Sequence, residues 1–234
     1  TGRMDEAMES FARAAEIKPD YALAYHRMGQ ILFHKKDYNG AVRAYDKALE
    51  LNFGLAEIHN DMGNVLFEKN DFDKAQGYYS KALELDGQIF EAFFNQCVIL
   101  EKKGSLPKAI ECYDKCIVKF ESRPESMNNA GSLLFSLERF EEAEKYFLKA
   151  LEIDNSFLNA RYNLVELYKK TGKSEKALGQ YQNVAKYNPG DLEVLHEICA
   201  LQGDSGKLDE AEQCYKKILS DDPKRALDHF QLGI

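Results

Sequence analysis

Alanine recurs every 34 residues along the chain, and this spacing never slips. Four residues after each alanine stands an aromatic ring, and three residues later stands a compact residue that is apolar in every unit. An apolar stripe at positions i, i+4 and i+7 is the buried face of an α-helix. Such a period predicts small helical units that stack on copies of themselves. The alanines are Ala7, Ala41, Ala75, Ala109, Ala143, Ala177 and Ala211, and the rings are Phe11, Tyr45, Tyr79, Tyr113, Phe147, Tyr181 and Tyr215.

A second column with the same period predicts a second helix in each unit. Most of its members are small, which lets two helices approach closely. Short turns such as Asn70-Asp71 lie between the two helices, and proline residues such as Pro19 and Pro189 stop helices between units. Every unit is therefore predicted to be an antiparallel helix pair in an all-α fold. The column contains Gly29, Gly63, Cys97, Gly131, Val165, Cys199 and Gly233.

The residue order within one unit carries a family resemblance. The unit that begins at Ala22 contains Tyr25, Met28, Gly29, Leu32, Ala41, Tyr45 and Ala48, with Phe53 where the family usually has proline. This order resembles the tetratricopeptide repeat family, whose pattern is an aromatic residue, Leu-Gly, Tyr, Ala, an aromatic residue, Ala and Pro. The resemblance implies a right-handed α-solenoid of antiparallel helix pairs and a role in binding other proteins.

The period also gives the unit boundaries. We expect one array over residues 1–234, in which 1–21 is the second helix of a truncated repeat and 226–234 starts a further one. The last two full units depart from the family at Val165 and Cys199, so their helix spacing is less firmly predicted. The full repeats are 22–55, 56–89, 90–123, 124–157, 158–191 and 192–225.

Composition excludes several function classes. Hydrophobic residues make up 44% and charged residues 30% of the chain, and no apolar run approaches the roughly 20 residues of a membrane span. The 39 acidic residues outnumber the 31 basic ones, giving a net charge of −8, which is the wrong sign for a typical nucleic-acid partner. We therefore expect neither a membrane nor a nucleic acid as partner.

The five cysteines and the scattered polar groups predict no catalytic or metal site. An odd count without compact spacing favours a reducing compartment, so we expect a cytoplasmic protein. Cys97, Cys112 and Cys116 are interpreted as small buried groups, because no histidine lies near them in sequence to complete a metal site. Gly172-Lys173-Ser174 imitates the end of a phosphate-binding loop, but the earlier glycine of that motif is replaced by Leu167. We expect no enzyme activity and no cofactor.

The resemblance implies that the partner binds in a concave groove lined by the first helices. Several of the groove positions hold asparagine, which offers both a donor and an acceptor to the backbone of an extended peptide. Asparagine is also common in these columns across the family, so its presence alone does not establish binding. The candidate partner-binding residues are Arg27, Asn60, Asp61, Asn64, Phe94, Asn95, Asn128, Asn129, Tyr162 and Asn163.

Family members that bind chaperones hold a terminal carboxylate of their partner with lysine and arginine side chains. The columns equivalent to those lysines contain no lysine in this chain, and His26 occupies one of them in the first full repeat. Glu57, Asp61 and Glu91 lie close by in sequence. Like charges oppose binding, so an acidic partner is disfavoured. We expect a neutral or basic partner segment.

Two functions and one further possibility remain open. The first is a protein-interaction scaffold, and the second is a substrate-recruiting arm of a larger enzyme such as a glycosyltransferase. The third is self-association through apolar ends. The residues at those ends are Met4, Met8 and Phe11 at the start, and Leu227, Phe230 and Leu232 at the finish.

Overall fold

The computed structural model of the protein describes residues 2–51, 55–121 and 123–224. These residues form thirteen α-helices and no strand, which confirms the all-α repeat solenoid. Each of the six full repeats predicted from the period contains two helices. The helices are α1 (Gly2–Ile17), α2 (Ala22–His34), α3 (Tyr38–Leu51), α4 (Ala56–Glu68), α5 (Phe72–Leu85), α6 (Phe90–Lys102), α7 (Leu106–Lys119), α8 (Pro124–Ser136), α9 (Phe140–Ile153), α10 (Leu158–Lys170), α11 (Ser174–Tyr187), α12 (Leu192–Asp204) and α13 (Leu208–Asp221).

The chain divides into two compact units, an N-terminal unit of residues 1–112 and a C-terminal unit of residues 113–234. In both units the two helices of a repeat pack on each other, as α2 and α3 do in the first unit and α8 and α9 in the second. Second helices also pack on the first helix of the following repeat, as α3 does on α4 and α9 on α10. The predicted start of a further repeat, 226–234, lies outside the described residues.

The aromatic column and the glycine column meet inside the three full repeats that have glycine at this position. Tyr79 is fully buried, and a Cβ atom built on Gly63 would lie only 2.6 Å from its ring. A Cβ atom built on Gly29 or Gly131 would lie 2.4 Å or 2.7 Å, respectively, from the aromatic ring of the same repeat. In these three repeats a side chain on the glycine would clash with the ring as it is placed, because real Cβ contacts are longer than 3.0 Å. We call this contact the ring-on-glycine seat.

Two repeats have cysteine in the glycine column, and there the structure corrects our interpretation of the cysteines. Cys97 is disulfide-bonded to Cys112, and Cys199 to Cys214, with Cα–Cα distances of 5.3 Å and 5.5 Å. Cys116 is buried and free. The pairing was missed because it depends on which residues face each other across a helix pair, and not on the cysteine count. That count therefore no longer supports a reducing compartment.

The turn inside each repeat has the same geometry throughout. One residue adopts a left-handed conformation, and the next N–H donates to a carbonyl five residues back, as from Asp37 to Leu32 at 2.9 Å. This is the Schellman ending of a helix. Gly172 occupies one of these turns, so the Gly172-Lys173-Ser174 segment joins two helices and is not a phosphate-binding loop. The left-handed residues are Lys36, Asn70, Gly104, Glu138, Gly172 and Gly206.

A half-buried carboxylate links the second helices of two repeats in the C-terminal unit. Glu144 of α9 accepts hydrogen bonds from Lys176 at 2.8 Å, from Lys173 at 3.0 Å and from the Tyr168 hydroxyl at 2.9 Å. Burial alone would raise the pKa of Glu144, but these hydrogen bonds outweigh it and lower the pKa to about 2. The ionised carboxylate therefore stabilises the stack of repeats.

The ring-on-glycine seat predicts opposite effects for the same substitution at two glycines. Gly63→Ala should destabilise the protein by about 1–3 kcal/mol, because the new methyl group clashes with the buried Tyr79 ring. Gly77→Ala should instead stabilise it by about 0.5–1 kcal/mol, because a Cβ there meets nothing within 4 Å and alanine favours the helix. Urea unfolding of both variants measures the two shifts. Equal midpoints for the two variants would show that the seat is not tight.

The Glu144 cluster predicts a defined pH dependence. Its carboxyl pKa is lower in the folded protein than the ordinary value of 4.5, so its contribution is present above that pH and is lost as the pH falls towards 2. Glu144→Gln should lower the free energy of unfolding at neutral pH by roughly 1 kcal/mol, less than the pKa shift alone implies, because solvent screens the exposed lysines. It should also flatten the decline of stability between pH 4.5 and 2 relative to the parent. Urea midpoints across pH test this, with the exposed Glu175→Gln as the matched control, and identical pH profiles for all three proteins would contradict it.

Candidate functional site

The first helices carry all ten candidate residues, and the two units divide them into two groups. In the N-terminal unit, α2, α4 and α6 carry Arg27, Asn60, Asp61, Asn64, Phe94 and Asn95. In the C-terminal unit, α8 and α10 carry Asn128, Asn129, Tyr162 and Asn163. Each group is described within its own unit below.

Asp61 is the centre of the first group. Its Oδ2 atom lies 2.8 Å from His26 Nε2 and accepts a hydrogen bond of 2.8 Å from Gln30 Nε2, both on the preceding first helix. Its Oδ1 atom receives only a long contact of 3.4 Å, from Asn60 Nδ2. Arg27 donates to Gln30 Oε1 at 2.8 Å. One oxygen of the carboxylate therefore fixes its orientation, and the other has bonding capacity left.

Asn64 and Asn95 form the same kind of hydrogen bond between consecutive first helices, one repeat further along the chain. Asn95 Nδ2 donates to Asn64 Oδ1 at 3.0 Å and to the Tyr79 hydroxyl at 3.2 Å. The Tyr79 hydroxyl in turn donates to Asn64 Oδ1 at 2.8 Å. The ring that fills the glycine seat thus also positions the groove amides. We call Gln30, Asp61, Asn64 and Asn95 the N-terminal cluster.

Two cavities open beside the N-terminal cluster, and Asp61 lines both. The larger has a volume of about 520 Å³ and lies between α2, α4 and the start of α6. Its lining contains three carboxylates, Glu57, Asp61 and Glu91, and one guanidinium, that of Arg27. The smaller, of about 280 Å³, also contacts Gln30 and Asn64. The larger cavity is therefore predominantly acidic.

The second group has the same kind of link in the C-terminal unit. Asn163 Nδ2 donates to Asn128 Oδ1 at 2.8 Å and to Ser132 Oγ at 3.1 Å, which joins α10 to α8. Tyr162 is 38% exposed, and its ring lies edge-on to the Tyr181 ring with centroids 6.5 Å apart. We call Asn128, Ser132 and Asn163 the C-terminal cluster.

Some candidates are less accessible than the sequence suggested. Asn60 and Asn128 are only 9% and 8% exposed, although we expected the groove asparagines to face solvent. Phe94 is half-buried and stacks on Phe90 with ring centroids 5.4 Å apart. The helical period fixes which residues share a face, but the residues at the edge of that face are covered by the neighbouring helix. The accessible candidates are therefore Arg27, Asp61, Asn64, Asn95, Asn129, Tyr162 and Asn163.

The candidate set omitted three residues that complete the two clusters. His26 and Gln30 hold Asp61, and Ser132 holds Asn163. A signal for them was present in the numbering, since Gln30, Asn64 and Ser132 share one column and their partners share another. The hydrogen bonds run from one column to the other, between consecutive first helices.

The free atoms of these clusters are mainly acceptors. The amide nitrogens of Asn95 and Asn163 both point back to the preceding first helix, and no described residue donates to their Oδ1 atoms. Asp61 Oδ1 adds a charged acceptor with capacity to spare. The surface is thus prepared for hydrogen-bond donors.

Within the described residues, no group of three or more His, Cys, Asp or Glu side chains is arranged to hold a metal ion. None of the described helices has the length and apolar character needed to cross a membrane.

Models of the tetratricopeptide repeat match residues 1–21, 20–88, 60–124, 124–157 and 159–191. The chain belongs to the tetratricopeptide repeat family. The resemblance in residue order is thereby confirmed. The remaining repeat, from 192 onward, contains the same helix pair in α12 and α13.

The chain is similar to part of a human protein, "Protein O-mannosyl-transferase TMTC3", with 31% identity over 111 residues. That match covers 45% of this chain and 12% of the relative, so the chain spans a small fraction of the relative's length.

Solved structures resemble this chain over greater lengths than that relative does. The crystal structure of YrrB, a TPR protein with an unusual peptide-binding site, has a TM-score of 0.56 and 25% identity, and the match covers 81% of this chain and 97% of that one. The C-terminal part of a TPR protein from Cytophaga hutchinsonii has a TM-score of 0.73 at 18% identity over 97% of this chain and 93% of its own, which shows the fold alone.

Proposed function

We propose that the chain is a protein-interaction scaffold that binds a neutral or basic, extended segment of a partner along its first helices. The observation that carries this proposal is the preorganised acceptor surface of the two polar clusters. Fold alone does not specify a partner, so the argument rests on these side chains.

Preorganisation favours binding because the side chains have little freedom left to lose. Asp61, Asn95 and Asn163 are each held by two hydrogen bonds to neighbouring helices. Ordering a mobile side chain at an interface costs about 0.5–1.5 kcal/mol, and here the fold has already ordered it. A partner's backbone N–H groups can meet the outward oxygen atoms without rearranging the helices.

Charge favours a basic segment in the N-terminal unit. Three carboxylates and one guanidinium line the larger cavity, so a lysine or arginine side chain entering it gains attraction, whereas an acidic side chain is repelled. The volume of about 520 Å³ is sufficient for one such side chain and part of its backbone. In the C-terminal unit, the exposed Tyr162 ring beside Asn163 offers an apolar and cation-binding face.

The similarity to YrrB supports a peptide ligand, because that protein is described as having a peptide-binding site and its match extends over most of this chain. Catalysis has no support in the described residues. The cytoplasmic location predicted from the cysteine count has lost that support, because four of the cysteines are paired.

A second candidate function is a recruiting arm of a larger enzyme. The observation in its favour is the 31% identity with TMTC3, an O-mannosyl-transferase, over a segment that is a small part of that protein. In this case the same acceptor surface would hold the substrate protein. A catalytic domain in the same polypeptide would establish the arm, and further repeats alone would favour the scaffold.

Self-association through the ends is the remaining prediction about partners. Met4 in α1 is 44% exposed, while Met8 and Phe11 are partly exposed. The apolar residues expected at the other end, Leu227, Phe230 and Leu232, lie outside the described residues.

The partner chemistry can be tested with two pools of capped random peptides, one enriched in lysine and arginine and one in aspartate and glutamate. Titration calorimetry should detect binding of the basic pool, and the affinity should fall as salt is raised, since charges are screened within about 10 Å at 0.1 M salt. Asp61→Asn should weaken this binding about tenfold or more, which corresponds to about 1.4 kcal/mol. Asn95→Ala combined with Asn129→Ala should weaken binding of both neutral and basic peptides by about 2 kcal/mol or more if these are hot spots.

The matched controls lie on second helices. Glu50→Gln and Asn39→Ala change the same chemical groups on α3 and should leave the affinity unaltered. Urea midpoints must accompany the double asparagine variant, because Asn95 also bonds to Asn64 and Tyr79. Tight binding of an acidic peptide with a free terminal carboxylate, undiminished in the double variant, would overturn the proposal.

A further inference from the structure

Four of the five cysteines occur as two matched pairs in the repeat. Cys97 and Cys199 share the glycine column, and Cys112 and Cys214 share a column on the second helix. Neither column contains a cysteine in any other repeat. A cysteine in one column is thus always accompanied by a cysteine in the other, which is unexpected if cysteine merely replaced glycine as a small buried residue.

Each pair joins the first helix of its repeat to the second. The Cα–Cα distances of 5.3 Å and 5.5 Å lie in the middle of the range that a disulfide spans. The rings of these repeats, Tyr113 and Tyr215, are buried although each repeat has cysteine in the glycine column.

We propose that these two pairs are sites of reversible oxidation, closed by exchange with a low-molecular-weight disulfide, and that the array is fully stable only when both are closed. This assigns the protein to conditions in which disulfides persist. The proposal does not depend on the partner-binding function.

The accessible sulfur in each pair is on the second helix. Cys112 and Cys214 are partly exposed, whereas Cys97 and Cys199 have no exposed surface. A small reagent therefore reaches Cys112 and Cys214 first. The attacking protein thiolate must reach a sulfur of the reagent, so the mixed disulfide forms on these two partly exposed residues.

With oxidised glutathione as the reagent, closure has two steps. The Cys112 thiolate attacks one glutathione sulfur, the glutathione S–S bond breaks, and one glutathione thiolate leaves. The Cys97 thiolate then attacks the Cys112 sulfur, which forms the protein disulfide and releases the second glutathione. The two protons of the protein thiols pass to the two released glutathione thiolates, so two protein thiols are oxidised and one disulfide is reduced.

Cys116 provides an internal reference. It lies one helical turn after Cys112 but is buried, and burial raises the pKa of its thiol. Ser126 donates a hydrogen bond to its sulfur at 3.1 Å. A thiol of this kind is unreactive, so Cys116 should remain reduced while both pairs close.

Peptide mapping of the purified chain after equilibration with oxidised glutathione tests the pairing. Free thiols are alkylated in denaturant, and trypsin then separates the cysteines, because Lys102, Lys115 and Lys207 lie between them. We expect one cross-linked peptide pair for each disulfide and alkylation of Cys116 alone. At partial oxidation, glutathione adducts should be found on Cys112 and Cys214. Alkylation of all five cysteines, or a cross-link containing Cys116, would overturn the proposal.

Stability measurements test the second half of the proposal. Reductant should lower the urea midpoint of the parent. Cys97→Gly with Cys112→Ala copies the Gly29 and Ala44 pattern of the first full repeat, and Cys199→Gly with Cys214→Ala copies it in the last. The four-fold variant should unfold at the same urea concentration with or without reductant, whereas Cys116→Ala should keep the full reductant shift. A parent midpoint that reductant leaves unchanged would contradict the claim that closure stabilises the array.

Discussion

In three of the six full repeats, the spacing of the two helices depends on one close contact, an aromatic ring that lies directly over a glycine of its own repeat. The contact sets the distance between the two helices of a unit, since any Cβ on Gly63 would lie 2.6 Å from the Tyr79 ring. The same ring also positions a groove amide, because the Tyr79 hydroxyl donates a hydrogen bond to Asn64 Oδ1. A buried ring therefore serves as both a packing element and a support for the groove.

The partner-facing surface follows from that support. Consecutive first helices in each unit are joined by amide and carboxylate side chains, with Asp61 bonded to Gln30, Asn95 to Asn64 and Asn163 to Ser132. The amide nitrogens of Asn95 and Asn163 are occupied in these links, so their oxygen atoms remain as acceptors for a partner. Scaffolding and recognition are therefore performed by the same side chains, and the acidic cavity beside Asp61 adds a charge preference.

The sequence was sufficient for everything that depends on periodicity. The helix pairs, the buried Ala143 and Tyr45 columns and the location of the candidate residues on first helices follow from a constant 34-residue spacing. The sequence did not predict how deeply individual groove residues are buried, or which cysteines form disulfide bonds. The burial of Asn128 depends on how a neighbouring helix covers the edge of the face, and the Cys97–Cys112 bond depends on which side chains meet across two helices. Both are tertiary properties that a one-dimensional pattern does not contain.

The most direct test of this account follows the side-chain amide resonances by NMR during titration with a basic peptide. If the polar clusters on the first helices are the binding surface, the Nδ2 resonances of Asn64, Asn95 and Asn163 should shift in proportion to occupancy. Those of Asn39 and Asn183, which lie on the second helices α3 and α11, should stay in place. Shifts confined to Asn39 and Asn183, with the cluster amides unmoved, would contradict the central claim.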